Sequence, residues 1–284
     1  SQEFRVASPT DGRLHWLAGL SYFTADTWTG RYRYLTKAMQ DNGTISTTNL
    51  AAFGLVGFDF TERLSGTAEI RIAEEELHLE GGASKFDEKA TYKSTNPRFT
   101  LAYKVDDNVL LYGLIARGNK PGGFNSDVRL SSADRAYGEE SAWNYEVGVK
   151  SDLLDRRLRL NVSAYYIDWT DQQMTQVALV NNTETVSFIR NVGEVTVKGV
   201  EVETLAQITP DWRLRGTFAY ADSEYQSATD PDFATLSQGN GDITGKAIPN
   251  APKIQYSIGT NYAWHIGDDR IFVDATYSYR SKKY

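Results

Sequence analysis

The sequence predicts an all-β fold, an antiparallel transmembrane β-barrel with about 12 strands, and three observations favour it. Polar and apolar residues alternate along runs longer than the ~5–6 residues of a typical strand in a soluble protein. Short turns rich in Asp, Gly and Pro alternate with long polar stretches. Aromatic residues collect near the ends of the alternating runs. We therefore expect a sheet with hydrocarbon on one face and water on the other.

The stretch from Arg157 to Trp169 shows the alternation most clearly. Arg159 and Asn161 fall on one parity, whereas Leu160 and Val162 fall on the other. Because successive side chains of a strand point to opposite faces, one face is wet and the other apolar. The run is also long enough for a tilted strand that crosses a bilayer, which takes ~9–11 residues.

Composition excludes several other classes. No apolar run approaches the ~18 residues of a transmembrane helix. The mean hydropathy of -0.46 does not exclude a membrane barrel, because the polar and apolar faces average out. The net charge of -7, without a basic run, argues against a nucleic-acid surface. The absence of cysteine excludes disulfides and thiolate metal sites.

The predicted turns and loops differ in length at the two ends of the sheet. Short hairpin turns are predicted at residues 8–12, 61–64, 105–108, 153–156, 209–212 and 266–269. Long polar loops are predicted at residues 25–49, 81–95, 119–142, 171–192 and 226–251. Short periplasmic turns and long outer loops are typical of outer-membrane barrels. In the run VTVKGVEVE the parity slips, which predicts a β-bulge at Lys198 and Gly199.

The aromatic residues predict two interfacial belts. The upper belt is predicted to contain Trp143, Tyr166, Trp169, Tyr220 and Tyr279, and the lower belt Phe60, Trp212, Tyr262 and Trp264. The alternative is the aromatic core of a soluble β-sandwich. That fold would have shorter strands and loops of similar length at both ends.

Six stretches resemble the barrel of TonB-dependent outer-membrane receptors. They are WLAGLSYF (16–23), FGLVGFDFTERL (53–64), YGLIARGNKPGGFN (112–125), residues 137–173, NVGEVTVKGVEVE (191–203) and IPNAPK (248–253). The resemblance implies a barrel of ~22 strands, closed by a separate N-terminal plug, in the outer membrane of a Gram-negative bacterium. It also implies import of iron chelates, vitamins or oligosaccharides with energy that the TonB complex delivers through the plug.

Two departures from this family lead us to expect a partial barrel at residues 1–284, without the plug and the C-terminal strands. Nothing in the sequence matches the plug or the segment that TonB grasps. Tyr277 and Tyr279 set the lipid-facing parity, Ser281 and Lys283 then fall on it, and Tyr284 is out of phase.

The candidate binding residues are polar positions of the predicted lumen and its outer loops. We predict that the lumen wall includes Glu69, Arg71, Arg117, Glu146, Lys150, Arg159, Asn161, Glu201, Glu203, Arg213, Arg215 and Arg280. The candidates for contact with the lumen contents or the ligand are Arg117, Lys120, Asn125, Arg159, Asn161 and Arg215.

No catalytic, cofactor or metal site is predicted. GNKPGGFN (118–125) lacks the spacing of a phosphate-binding loop, and His15, His78 and His265 fall in different strands. The expected partners are outer-membrane lipid, the plug of the same receptor, the TonB complex and a small-molecule ligand. The predicted function is uptake of a scarce ligand such as an iron–siderophore complex. The alternative is a passive channel formed by a self-closing 12-stranded barrel, which the even strand number permits.

Overall fold

The computed structural model describes residues 1–9, 11–33, 38–82, 85–127, 129–180, 184–230 and 239–282. Twelve of its strands form one antiparallel sheet in which each strand pairs with the next one of the sheet along the chain, as predicted. In order they are β1 (Gln2–Ala7), β2 (Leu14–Arg33), β3 (Ala38–Asp59), β4 (Leu64–Gly81), β5 (Phe86–Lys104), β6 (Val109–Lys120), β9 (Glu140–Leu153), β10 (Leu158–Thr170), β13 (Gly193–Thr209), β14 (Trp212–Ala228), β15 (Ile254–Ile266) and β16 (Asp269–Arg280).

Two small sheets lie in the connections of the large one. β7 (Gly123–Phe124) pairs with β8 (Ala136–Tyr137), and β11 (Gln173–Val180) pairs with β12 (Glu184–Asn191). A short 3-10 helix, Ser132–Asp134, precedes β8. No helix in these described ranges is both long and apolar enough to span a membrane.

The six predicted turns are confirmed, but three of the predicted loops are mostly strand. The predicted loop at 171–192 consists mainly of the β11–β12 hairpin. Residues 25–49 and 81–95 largely belong to β2, β3, β4 and β5. Their charged residues pair across the strands, as Glu74 and Lys93 do with a carboxylate–ammonium distance of 3.1 Å. On the opposite parity, Leu77 and Leu79 are buried against Phe124. These strands therefore continue above the apolar band, where water covers their outer side.

The register aligns the apolar residues in continuous rows on one face. Val147 lies opposite Gly113 and Ala164, and Ala164 lies opposite Val200. Val147 is 63% exposed and belongs to an extended apolar patch of a kind that soluble proteins rarely expose to water. The described chain places no second layer over this face, so hydrocarbon is the environment that suits it.

The bulge predicted at Lys198 and Gly199 is wrong. β13 keeps an unbroken register with β10 from Val195 to Ala206, and its irregularities with β14 lie at Glu194/Val195 and Gln207/Thr209. The valines of β13 change parity because the apolar environment lies on the outer face lower in the strand and on the inner face near its top. Val200 faces outward, whereas Val195 faces inward and is completely buried beneath the outer loops.

The aromatic belts are present except for one residue. In the upper belt the rings of Trp143 and Tyr145 lie 6.4 Å apart, and those of Tyr145 and Tyr166 lie 6.3 Å apart. Trp169 does not belong to this belt. It lies opposite Val195 on the inner parity and packs on the buried loop cluster.

The sheet is open. In the part of the chain that the structure describes, β1 pairs with β2 alone and β16 with β15 alone. A self-closing 12-stranded barrel needs β1 and β16 to pair, so the passive-channel alternative is not favoured. Lys283 and Tyr284, on which part of the partial-barrel prediction rests, lie outside the described residues.

Candidate lumen wall and outer loop platform

The inward face forms a polar hollow of about 630 Å³. Seven strands contribute to it, because every second residue of a strand points to this side. They are β6, β9, β10, β13, β14, β15 and, at the edge, β16. Two of the predicted residues that line it are Lys150 and Asn161. A wall of this kind stays hydrated and can contact a soluble domain or a solute inside the barrel.

The predicted residues Arg159 and Arg215 lie on this inward face, and a carboxylate of another strand holds each of them. Asp152 lies on β9, next to the strand of Arg159, and Asp274 lies on β16, two strands away from Arg215. Arg159 donates two hydrogen bonds to Asp152, at 2.7 and 3.1 Å. Arg215 donates to both carboxylate oxygens of Asp274, at 3.0 and 2.7 Å. Bidentate pairing fixes the guanidinium planes and neutralises their charge. These two cations therefore present little free charge to the lumen.

The carboxylates of the wall are not neutralised in the same way. Glu203 accepts a hydrogen bond from Asn161 at 3.0 Å, and Glu146 accepts one from the Tyr112 hydroxyl at 2.6 Å. Among the described residues, Glu201 makes no ion pair. The hollow thus holds three carboxylates beside the cations Lys150 and Arg280, and among the described residues no ion pair joins these carboxylates to a cation of the wall.

Two tyrosines are seated over glycines beside these carboxylates. A Cβ added to Gly148 would lie 2.6 Å from the Tyr112 ring, and one added to Gly199 would lie 2.2 Å from the Tyr165 ring. The glycines therefore let both rings lie flat along the wall. Gly199 thus serves as a seat for a tyrosine, not as part of a bulge.

Arg117 does not lie on the lumen face, which corrects the prediction. β6 places it opposite Trp143, on the same parity as Ile115 and the apolar face. Its guanidinium donates to the Thr95 carbonyl at 2.8 Å and lies 3.5 Å from Glu139. The sequence could not fix this parity, since both faces of β6 carry leucine or isoleucine.

Lys120 ends β6 on the inward parity, exposed and opposite the buried Glu140. Asn125, by contrast, is buried at 8% exposure. Its amide donates to the carbonyls of Asp134 and Ile189, and its carbonyl accepts from the N–H of Ile189, all at 2.8 Å. These bonds satisfy the side chain, so its evident role is to clamp two outer loops. Ligand contact by any of the six candidates remains a prediction.

The connection at residues 121–137 and the β11–β12 hairpin form one structure, which we call the loop platform. Arg129 binds Asp127 at 2.7 Å and Glu184 of the hairpin at 2.8 Å. Leu130 packs with Val186 and Phe188 in a buried cluster. The platform also contacts the upper sheet, where Arg135 binds Glu88 at 3.0 Å. Outer loops that are linked in this way can hold binding groups in fixed positions.

We expect Asn125→Ala to loosen the platform locally. The substitution leaves three buried backbone groups without their partner, at roughly 1–3 kcal/mol for each group that stays unsatisfied. Hydrogen exchange of residues 184–191 should become at least tenfold faster, with Ser126→Ala as the control from the same loop. Unchanged exchange would show that Asn125 does not clamp the hairpin.

Acid should weaken the same platform. The Ser131 hydroxyl and then the Arg190 guanidinium bind the Asp134 carboxylate and hold its pKa below the ordinary 3.8, while burial opposes them. A lowered folded-state pKa contributes stability above the ordinary value, and this stability is lost as the pH falls through the folded value. Protection of the β12 amides from hydrogen exchange, corrected for the intrinsic exchange rate at each pH, should fall below about pH 4. Asp134→Asn should flatten this pH dependence, and an unchanged profile would contradict the assignment.

The three histidines lie apart, each beside a carboxylate. His15 lies 3.3 Å from Asp59, His78 lies 2.8 Å from Asp87, and His265 lies 3.6 Å from Asp211. Within the described ranges, no group of three or more histidine, aspartate or glutamate side chains is arranged to hold a metal ion.

Sequence reasoning missed the tyrosines of the wall and the loop platform. Tyr112 and Tyr165 fall on the inward parity, and glycines occur at the paired positions, which is a usable signal once the register is known. The loop platform depends on contacts between residues up to 64 positions apart, such as Asn125 and Ile189. No local pattern marks such a contact.

An antiparallel sheet with an apolar outer face, aromatic belts and a hydrated inner wall is a portion of a transmembrane β-barrel. Residues 2–284 match the family model described as TonB dependent receptor-like, beta-barrel. The chain belongs to this family, whose barrels lie in the outer membrane of Gram-negative bacteria. Outer-membrane lipid therefore contacts the apolar face.

Relatives and solved structures agree with this family. The chain is 26% identical over 167 residues to the probable TonB-dependent siderophore receptor PiuA of Acinetobacter baumannii, covering 57% of the chain and 21% of the relative. It is 28% identical over 134 residues to the metal-pseudopaline receptor CntO of Pseudomonas aeruginosa, covering 47% and 17%. The fold is similar to that of the ferric yersiniabactin uptake receptor FyuA of Yersinia pestis, with a TM-score of 0.75, 19% identity, and coverage of 97% of this chain and 41% of that one. The chain thus spans less than half of each of these proteins.

Proposed function

We propose that this chain is the barrel portion of an outer-membrane receptor that imports a scarce ligand, such as an iron–siderophore or metal-chelate complex. The observation that carries the proposal is the family match across residues 2–284. Relatives named as siderophore and metal–chelator receptors support this ligand class. The role is transport, without a chemical reaction at the wall.

The complete receptor adds further strands and a plug. Two open sheet edges, at β1 and β16, support this part of the proposal because unpaired edges are poorly tolerated unless they are covered or closed. Additional strands of the same polypeptide would close the barrel towards the ~22 strands of plugged transporters. The plug would occupy the hydrated lumen and link the ligand to the TonB complex.

Glu146 and Glu201 are the wall groups that we propose for plug contact. They lie on neighbouring rows of the inward face, beside Tyr112 and Tyr165, and they lack an arginine partner on the wall. A basic side chain of the plug would form an ion pair with Glu146 and Glu201. Such a pair becomes valuable where the plug excludes water.

Uptake by the complete receptor tests the function. Disruption of its gene should abolish accumulation of the cognate radiolabelled iron chelate, and collapse of the inner-membrane proton gradient should abolish it equally in the intact strain. A panel of chelates, assayed singly, identifies the ligand. Uptake that persists after loss of the gradient would instead support a passive channel.

A further inference from the structure

The outward face carries a groove of about 900 Å³ that the transport function does not use. Along one row of the sheet, large and small residues alternate, because Gly66 lies opposite Leu101, which lies opposite Gly113. The same row continues through Val147 to Ala164. Gly113 and Ala164 create the depression, whereas the Phe60 ring lies over Gly66 and closes the lower end. The lining is almost entirely apolar.

The groove leads towards the outer interface of the membrane. Strands of such barrels tilt by ~35–45°, so a row across the sheet climbs from one interface towards the other. Its lower end lies at Phe60, in the lower belt, and its upper end at Tyr166, in the upper belt. A chain of methylene groups that enters the groove beside Tyr166 and ends near Gly113 would run obliquely through the outer leaflet.

A cation stands at the upper end of the groove. Lys198 lies opposite Tyr166 on the outward parity, with Nζ 5.9 Å from the centre of the ring. The carboxylate opposite Lys198 belongs to Asp222, which binds Lys253 at 2.7 Å. Asp168 also faces outward, two residues further up β10 than Tyr166, and it lies opposite Trp143. Lys198 itself makes no ion pair with a described residue, so its ammonium is available to an anion at the headgroup level.

We propose that this groove is a binding site for one phosphorylated lipid of the outer leaflet. An acyl chain lies in the depression around Gly113, and the lipid phosphate binds Lys198. The site continues the lipid-facing surface of the barrel, and its charge matches an anionic headgroup. Hydrocarbon surrounds every lipid-facing position equally, so it gives the lipid no preference for one of them. The lipid prefers this position because its acyl chain packs closely into the groove.

Native mass spectrometry of the complete receptor, with added bisphosphorylated lipid A or its dephosphorylated form, tests the site. Gly113→Leu fills the groove without a clash, because the nearest atom to an added Cβ is 4.0 Å away. Gly54→Leu is the matched control, an outward glycine outside the groove with a nearest atom at 3.5 Å. Ala164→Leu provides a second groove variant if Gly113→Leu fails to fold.

We expect Gly113→Leu to lower retention of bisphosphorylated lipid A at least about threefold, with the Gly54→Leu control unchanged. Lys198→Ala should lower the preference for the phosphorylated form about fivefold, which corresponds to ~1 kcal/mol for one basic residue near a membrane surface. Equal retention by Gly113→Leu and Gly54→Leu would overturn the proposal. So would equal retention of both lipid forms by the unmodified receptor, or a second copy of the receptor seated on the groove. The readout is independent of uptake, so failure here leaves the proposed function standing.

Discussion

Arginine in place of Val147 should destabilise the barrel by about 2–4 kcal/mol, the cost of a basic residue at the lipid midplane of a barrel. Val147 is 63% exposed in the middle of the apolar face. The guanidinium of an arginine at position 147 would be away from water. The residues opposite it, Gly113 and Ala164, offer no carboxylate. Urea titration of the complete receptor in lipid vesicles measures the change in the free energy of unfolding.

The control for this substitution is Thr217→Arg on the inward face. Thr217 lies opposite Glu203 across β13 and β14, in the hydrated hollow. An arginine there stays in water beside a carboxylate, so we expect a change below about 1 kcal/mol. Equal destabilisation by the two arginines would mean that the two faces do not differ in environment.

Removal of the charges of Glu146 and Glu201 should release the plug. In the double variant Glu146→Gln/Glu201→Gln, each amide keeps the shape of the carboxylate but loses the attraction to a basic group of the plug. Breaking a desolvated charge pair costs about 2–5 kcal/mol, so the fraction of receptors with a displaced plug should rise roughly 30-fold or more. The measurement is ion conductance of the complete receptor in planar bilayers as urea is raised.

Glu203→Gln is the control for this second prediction. Glu203 lies on the same wall but one inward position nearer the short turns than Glu201, outside the pair that we assign to the plug. Its hydrogen bond from Asn161 survives the change, because an amide oxygen can still accept it. The urea concentration at which the channel opens should therefore stay close to that of the unmodified receptor. If the double variant opens at the same urea concentration as this control, Glu146 and Glu201 do not hold the plug.

The sequence predicted the strands well because their environment imposes a period of two. Leu160 and Arg159 illustrate this, since a shift of one residue would place the arginine in lipid. Five of the six short turns were predictable from their Asp, Gly and Pro residues, which favour tight turns, whereas residues 61–64 contain none of the three and were placed by the alternating runs on either side. Both patterns lie within short stretches of sequence, so they can be recognised without knowledge of the rest of the chain.

The predictions of which face a residue occupies failed where another apolar environment, such as the buried side of the outer loops, takes the place of lipid. Val195 and Trp169 are apolar because the outer loops bury them from the inside, so their parity is opposite to that of Val200. Arg117 was misplaced because Leu114 is apolar on the inward side and Ile115 on the outward side. Sequence alternation reports the polarity of an environment, but not which environment is present.

The candidate binding residues were only partly predictable for a related reason. Arg159 and Arg215 were placed correctly on the wall, but their neutralisation by Asp152 and Asp274 depends on strand register. Asn125 was chosen as a polar residue of an outer loop, and the fold buries it between two loops. Residues that meet across distant segments carry no shared local signal.

Single-cysteine labelling along β10 tests the two-faced barrel most directly, because the chain has no cysteine of its own. Cysteines at 158, 160, 162 and 164 should resist a charged maleimide and be quenched by lipid-borne nitroxide when they carry a fluorophore. Cysteines at 159, 161 and 163 should react with the maleimide once the plug is displaced by urea, and lipid-borne nitroxide should not quench them. Alternation with a period of two is the result we expect. Uniform protection of both sets, without lipid quenching, would contradict the barrel and indicate a second protein layer over Leu158, Leu160 and Val162.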